Sequence, residues 1–268
     1  MIFTDRFVYV HEPKTGGTFV TSMLFRLYGL RWTRWTHLRN ALRGEVRRRH
    51  PRYGALVHDS NKHGGCNEIP PRHRGKKVLA TVRNPFDLYA SQYEFGWWRR
   101  AEFLRYYEAL PDFRAEYPRF PDLSFAEYVR LSNAALRPLS GVARGGREEG
   151  GAGLVTEQFF DFYFRDPRAS FGRLRAGAYA GTEDAAADMH DLHFVRTDQL
   201  NRGLYDFLVR EGYDAGDVSF VLGEGKVLPR GRGRGAAQKW QNYYTPELKA
   251  WVREREDFLF RLFPEFDV

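Results

Sequence analysis

The sequence predicts an α/β fold, a central parallel β-sheet flanked by helices. Three segments carry that reading, each a short apolar run followed at once by a helical pattern. Phe7-Val8-Tyr9-Val10 leads into a helix whose apolar positions Phe19, Met23, Leu24 and Leu27 share one face, and which stops near Gly29. Val78-Leu79-Ala80-Thr81-Val82 leads into a helix that Asn84 caps and Pro85 opens, continuing through Phe86, Tyr89, Ser91 and Tyr93. His193-Phe194-Val195-Arg196 leads into a helix opened by Asp198 and lined by Leu204, Phe207 and Leu208. Buried strands alternating with amphipathic helices indicate βαβ units, in which the crossover helix sets neighbouring strands parallel.

The remaining elements are read in the same way. Ala55-Leu56-Val57-His58 is a further strand, whereas the basic stretch from Arg31 to Arg52, with Trp32 and Trp35, gives no clear pattern. Ser124 caps a helix through Phe125, Tyr128 and Val129. Thr245-Pro246 opens a closing amphipathic helix with Leu248, Trp251, Val252, Phe258, Leu259 and Leu262 inward. Gly141 to Gly153, rich in glycine and charge, reads as a mobile surface loop rather than a boundary, so 1–268 is expected to form one domain.

Composition narrows the class. Hydrophobic residues at 43% suit a globular chain and exclude a disordered one. Aromatics at 16% suit clefts walled by rings, most of which still belong to the core. Lys and Arg exceed Asp and Glu by 42 to 34, a net +8 that concentrates anions near the surface without choosing among them. The single cysteine, Cys66, excludes an internal disulfide and favours a reducing compartment. No run approaches the ~18 apolar residues of a membrane span. Structure is expected to begin at Phe7, which leaves no room for a signal peptide and makes a cytoplasmic location the default.

Between the first strand and its helix lies Pro13-Lys14-Thr15-Gly16-Gly17-Thr18. Glycines there let backbone N–H groups converge, and the helix N-terminus adds positive potential. Lys14 contributes a mobile cation, and Thr15 and Thr18 contribute hydroxyls. A plain strand–turn–helix bend needs the glycines but not the lysine and threonines, so the group points to a phosphate-type anion. The Walker pattern G-x-x-x-x-G-K-S/T occurs nowhere in the chain, which counts against a kinase. Val8 to Thr18 resembles the 5′-phosphosulfate loop of sulfotransferases that use 3′-phosphoadenosine 5′-phosphosulfate (PAPS), in the form found in carbohydrate sulfotransferases.

A second segment strengthens the resemblance. Val78 to Tyr93 is similar to that family's 3′-phosphate motif, a strand ending in Arg83-Asn84-Pro85 with Ser91 eight residues past the arginine. Arginine at a strand's C-terminal end faces the ligand crevice of an open α/β sheet, and its fork bonds two phosphate oxygens. The resemblance implies a P-loop nucleotide-hydrolase-like sulfotransferase fold. Its donor would be PAPS, held by Pro13, Lys14, Thr15, Gly16, Gly17, Thr18, Arg83 and Ser91, with no metal required.

Lys62-His63-Gly64-Gly65-Cys66-Asn67-Glu68-Ile69-Pro70 looks like the histidine segment of heparan sulfate 2-O- and 6-O-sulfotransferases, which implies His63 as catalytic base and Lys14 as the cation at the leaving phosphate. Imidazole, with pKa near ~6.5, accepts a hydroxyl proton at neutral pH. Glu68 is the reserve base, with His58, His11 and His37 weaker. One cysteine and no H-E-x-x-H pattern make a metal site improbable.

Residues 229–239, with Arg230, Arg232, Arg234 and Lys239, fit a flap over the donor, a solvated loop or a short RNA contact. Trp97 and Trp98 fit an acceptor wall or the core. Tyr243-Tyr244-Thr245-Pro246-Glu247-Leu248 resembles the family's closing helix, while residues 101–190 carry no specific motif. The implied reaction transfers a sulfuryl group to a hydroxyl of a carbohydrate-like or small-molecule acceptor, without nucleic acid as partner. A P-loop nucleotide kinase and a basic nucleic-acid-binding protein are the rival readings.

Overall fold

The computed structural model describes residues 1–31, 33, 36, 38, 42, 44–134, 151–179, 182–225, 227 and 233–268. Trp32, Trp35, His37, Arg230, Arg232 and residues 141–150 of the glycine-rich segment lie outside the described residues. The fold is α/β, and the chain divides into two compact units. The first comprises Met1–Arg83 with Met189–Gly233, and the second Asn84–Asp188 with Arg234–Val268.

The first unit holds a six-stranded sheet of order β3-β4-β1-β2-β5-β6. Its strands are β1 (Ile2–Thr4), β2 (Phe7–Val10), β3 (Glu45–His50), β4 (Gly54–Asp59), β5 (Lys77–Val82) and β6 (Leu192–Arg196). The sheet is mixed rather than parallel throughout. β2, β5 and β6 pair in parallel, as their helical crossovers require. Short turns join β1 to β2 and β3 to β4, so each of these pairs is antiparallel, and β1 also pairs antiparallel with β4. In the first of these turns the Thr4 hydroxyl accepts from the Phe7 amide at 2.9 Å and donates to the Phe7 carbonyl at 2.9 Å, so the chain reverses within two residues. Order therefore starts at Ile2, ahead of the expected Phe7.

Helix α1 (Gly17–Leu27) buries the predicted Phe19, Met23, Leu24 and Leu27. They share one cluster with Tyr9, Leu79 and Val195 of the sheet and with Leu204, Phe207 and Leu208 of the helix Leu200–Arg210. Each such side chain contributes roughly 1.5–3 kcal/mol by leaving water. The alternate strand residues Val8, Val10, Val78 and Ala80 are buried as well, as parallel strands covered on both faces should be.

The second unit is helical. Its helices include α2 (Pro85–Phe95), α3 (Phe125–Ala134), α4 (Leu154–Tyr163), α5 (Pro246–Arg255) and α6 (Asp257–Leu262). Asn84 caps α2 by accepting from the Phe86 amide at 2.9 Å, with Pro85 at the first helical position. Ser124 and Glu127 close a reciprocal capping box on α3. Thr245 caps α5.

The expected closing helix is interrupted between α5 and α6 at Glu256. Glu256 is completely buried and accepts from the Tyr89 hydroxyl at 2.6 Å, the Val155 amide at 3.0 Å, and the Thr156 amide and hydroxyl at 2.7 Å each. The carboxylate thus caps the N-terminus of α4, where the helix dipole favours negative charge. Burial nevertheless raises its pKa, with the four hydrogen bonds acting in the opposite direction. Glu256→Ala should destabilise the protein by about 3–5 kcal/mol in urea unfolding, because four buried donors lose their acceptor. A cost under ~1 kcal/mol would show the carboxylate to be dispensable.

Candidate functional site

The C-terminal ends of β2, β5 and β6 gather the first unit's polar residues. β2 runs into His11-Glu12-Pro13-Lys14-Thr15-Gly16, and this loop is pinned through its carbonyl groups. Arg83, just past β5, donates from Nη1 to the Lys14 carbonyl at 2.8 Å. Thr197, just past β6, directs its hydroxyl at the carbonyls of Thr15, 3.0 Å away, and Val82, 2.9 Å away. Gly16 uses its own carbonyl to accept from the Phe19 and Val20 amides. Lys14 sits at φ 68°, a left-handed conformation that costs a non-glycine residue about 1–2 kcal/mol and persists here because Arg83 fixes the peptide.

Two glycines are needed for distinct reasons. Gly16 adopts φ 97°, which admits glycine without strain. Gly17 faces the His11 ring, where a Cβ would lie 1.9 Å from Nε2. The start of α1 has no side-chain cap. Since Gly16 takes the amides of Phe19 and Val20, those of Gly17 and Thr18 remain for an anion or water.

Thr15 acts differently from the sequence reading. It is fully buried, and its hydroxyl donates to the Glu12 carbonyl at 2.8 Å. With that proton committed, Thr81 on β5 must be the donor in the 2.7 Å contact between the two threonine hydroxyls. Thr15 therefore ties the loop to the sheet, and only its backbone faces the ligand question. Thr18 and Pro13 are half-buried.

His63 comes to the same loop from the connection between β4 and β5. Its Nδ1 lies 3.0 Å from the His11 carbonyl, and the two imidazoles meet edge-on with centroids 4.7 Å apart. A carbonyl only accepts, so Nδ1 carries the proton and Nε2 of the neutral ring keeps its lone pair. Burial lowers the His63 pKa, with Lys62 and the N-terminal amine adding to that effect and the His11 carbonyl opposing it. Glu68 holds the segment in place. Its Oε1 accepts from the Gly65 amide at 3.0 Å, and Oε2 accepts from Asn61 Nδ2 at 2.6 Å.

His11 and His58 are buried in the same unit, at 5% and 6% exposure, so neither has the access that a base needs. Burial first, then neighbouring Lys62 among other cations, pushes His11 to about 2. Burial and the N-terminal amine push His58 to about 4. Cys66 is buried, and burial raises its thiol pKa. Among the described residues no group of three or more His, Cys, Asp or Glu side chains is placed to hold a metal ion.

The second unit holds the other predicted residues. Ser91 is buried in α2, one turn after Asp87. Arg234 forms an ion pair with that Asp87, and its Nη1 is buried without a hydrogen-bond partner among the described residues. Lys239 precedes a short turn whose Trp240 stacks on Phe86 at 5.3 Å. Trp98 is completely buried and belongs to the core, while Trp97 packs edge-on against Phe103.

Sequence reasoning missed Thr197, Thr81 and the structural use of His11. Thr197 follows a parallel strand's C-terminal end, a position that would have flagged it. The chain matches no family model and no curated protein. Among the described residues no helix is long and apolar enough to cross a membrane.

The histidine cluster makes stability depend on pH. Both folded pKa values lie below the ~6.5 of an unfolded histidine, so the stabilising contribution is complete above that pH and is lost as pH falls. Between about pH 6 and pH 4 protonation of the two histidines should lower stability by a few kcal/mol per pH unit at most, read in urea unfolding. His58→Leu should remove about half of that slope, and an unchanged slope would contradict the assignment.

Proposed function

We propose that the protein is a PAPS-dependent O-sulfotransferase acting on a hydroxyl of a carbohydrate-like or small-molecule acceptor. One observation carries the proposal. His63 and Arg83, which the sequence reading drew from separate motifs, both bond the backbone of the loop that bears Lys14, at the His11 and Lys14 carbonyls. A base, an arginine and an anion-binding helix start thereby converge on one short segment.

In this scheme the amides of Gly17 and Thr18 hold the donor's 5′-phosphosulfate, with Lys14 beside them. His63 Nε2 removes the acceptor's hydroxyl proton as that oxygen bonds to sulfur. The bond from sulfur to the phosphate oxygen breaks in line, and Lys14 neutralises the charge growing on the departing oxygen. The products are the sulfate ester, adenosine 3′,5′-bisphosphate and a proton on His63. Arg83 enters the scheme on its motif position, as the group that binds the 3′-phosphate. Ser91 enters the scheme on its motif position alone.

The nucleotide-binding part is tested by thermal unfolding. Adenosine 3′,5′-bisphosphate at a hundredfold over its Kd should add about 2.7 kcal/mol, whereas ATP and AMP should do little. Equal responses to all three would contradict the proposal. His63→Ala should keep the bisphosphate response and lose ~10²–10⁴ in turnover. Lys14→Ala should lose turnover with a smaller loss of nucleotide affinity. Because burial lowers the His63 pKa, the acid limb of the rate profile should lie below ~6.5, and a limb above ~7 would remove His63 as the base.

A further inference from the structure

A cavity lies at the other end of the sheet from the Lys14 loop. β1 runs antiparallel to β2, so its Thr4–Asp5 end is remote from the loop that follows Val10. There a groove of about 250 Å³ opens beside β1, β3 and β4. It is slightly smaller than the ~300 Å³ at which ordinary ligand pockets begin, which suits one ring rather than two.

Register explains its composition. Arg47, Val57 and Phe3 are paired across three strands, so they form one row on the face opposite Ile2 and Leu56. Phe3 stacks on His73 with ring centroids 4.4 Å apart and 10° between planes, forming an aromatic wall. Ala55 and Val57 add aliphatic surface, while Arg47, Arg72 and Asp5 supply charge. Both arginines are tethered through Nε, Arg47 to Glu45 and Arg72 to His73 Nε2 at 3.2 Å, and their terminal amino groups have no hydrogen-bond partner among the described residues. Asp5 accepts from the Ala55 amide through Oδ2, and its other oxygen has no hydrogen-bond donor among the described residues.

We propose that this groove is a second ligand site, for a single-ring hydroxy acid whose carboxylate or sulfate meets Arg47 and Arg72 and whose hydroxyl reaches Asp5. A bare inorganic anion would leave the apolar walls wet, and a neutral ring would leave two guanidinium groups unmatched. The field in the groove agrees. Burial first, then Lys76, Arg72 and Arg47, hold the His73 pKa below its ordinary value against the opposing effect of Asp5. The arrangement stands independently of the sulfotransferase proposal, since none of its residues belongs to the loop, to His63 or to Arg83.

Two sources offer this chemistry, an aromatic hydroxy acid and a sugar acid. Amide chemical shifts of the full chain, titrated with 4-hydroxybenzoate and with D-glucuronate, distinguish them. At least one acid should shift residues 3–5, 55–57 and 72–73, and the tighter of the two identifies the source. Arg47→Ala and Arg72→Ala, both at exposed positions, should each weaken that acid about tenfold while leaving the adenosine bisphosphate response unchanged. The neutral partners, 4-hydroxybenzamide and methyl glucoside, should bind at least tenfold more weakly. Equal binding of acid and neutral partner, indifference to both substitutions, or no shift from either acid would each overturn the proposal.

Discussion

The site depends on how one loop disposes of its carbonyl groups. A strand-to-helix turn has as many acceptors as donors, and an anion is repelled by the former. Here the His11, Lys14 and Thr15 carbonyls are engaged by His63, Arg83 and Thr197, which reach them from three other parts of the chain. In the proposed scheme the amides at the start of α1 then face the donor. The left-handed Lys14 and Gly16 are the local consequence, since that backbone turns successive peptides in opposite senses.

The same contacts determine chemistry as well as shape. The bond that occupies the His11 carbonyl also places the proton on His63 Nδ1 and leaves Nε2 as the basic nitrogen of the neutral ring. Partial desolvation lowers the pKa of that ring, and Glu68 bonds the Gly65 amide and Asn61 within the same segment. The fold accepts a cost for this arrangement. His11 Nδ1 is buried without a hydrogen-bond partner among the described residues, and Glu256 in the second unit is a carboxylate removed from water. Buried polar groups of this kind fix one conformation more than they add net stability.

Local chemistry was legible in the sequence and remote partnership was not. The turn at Lys14–Thr18, the Asn84-Pro85 helix start and the strands ending at Val82 and Arg196 rest on glycine, proline and periodicity, which act over a few residues. β1 escaped because three residues are too few for alternation to register. β3 escaped because Val46 is its one apolar residue, the rest of this edge strand being charged or polar. Thr15 was assigned to the ligand because the sequence cannot show Thr81 arriving 66 positions away. Glu256 did leave a trace. It lies on the apolar stripe between Val252 and Leu259, and an acid on the buried face of a helix calls for a partner.

The most direct test of the central claim observes the loop amides themselves. In a ¹H–¹⁵N spectrum titrated with adenosine 3′,5′-bisphosphate, the Gly17 and Thr18 amides should move downfield together, with a matching change at Arg83 Nε. Shifts confined to the β3 arginines or to residues 233–239, with Gly17 and Thr18 unmoved, would contradict an anion seat at the start of α1.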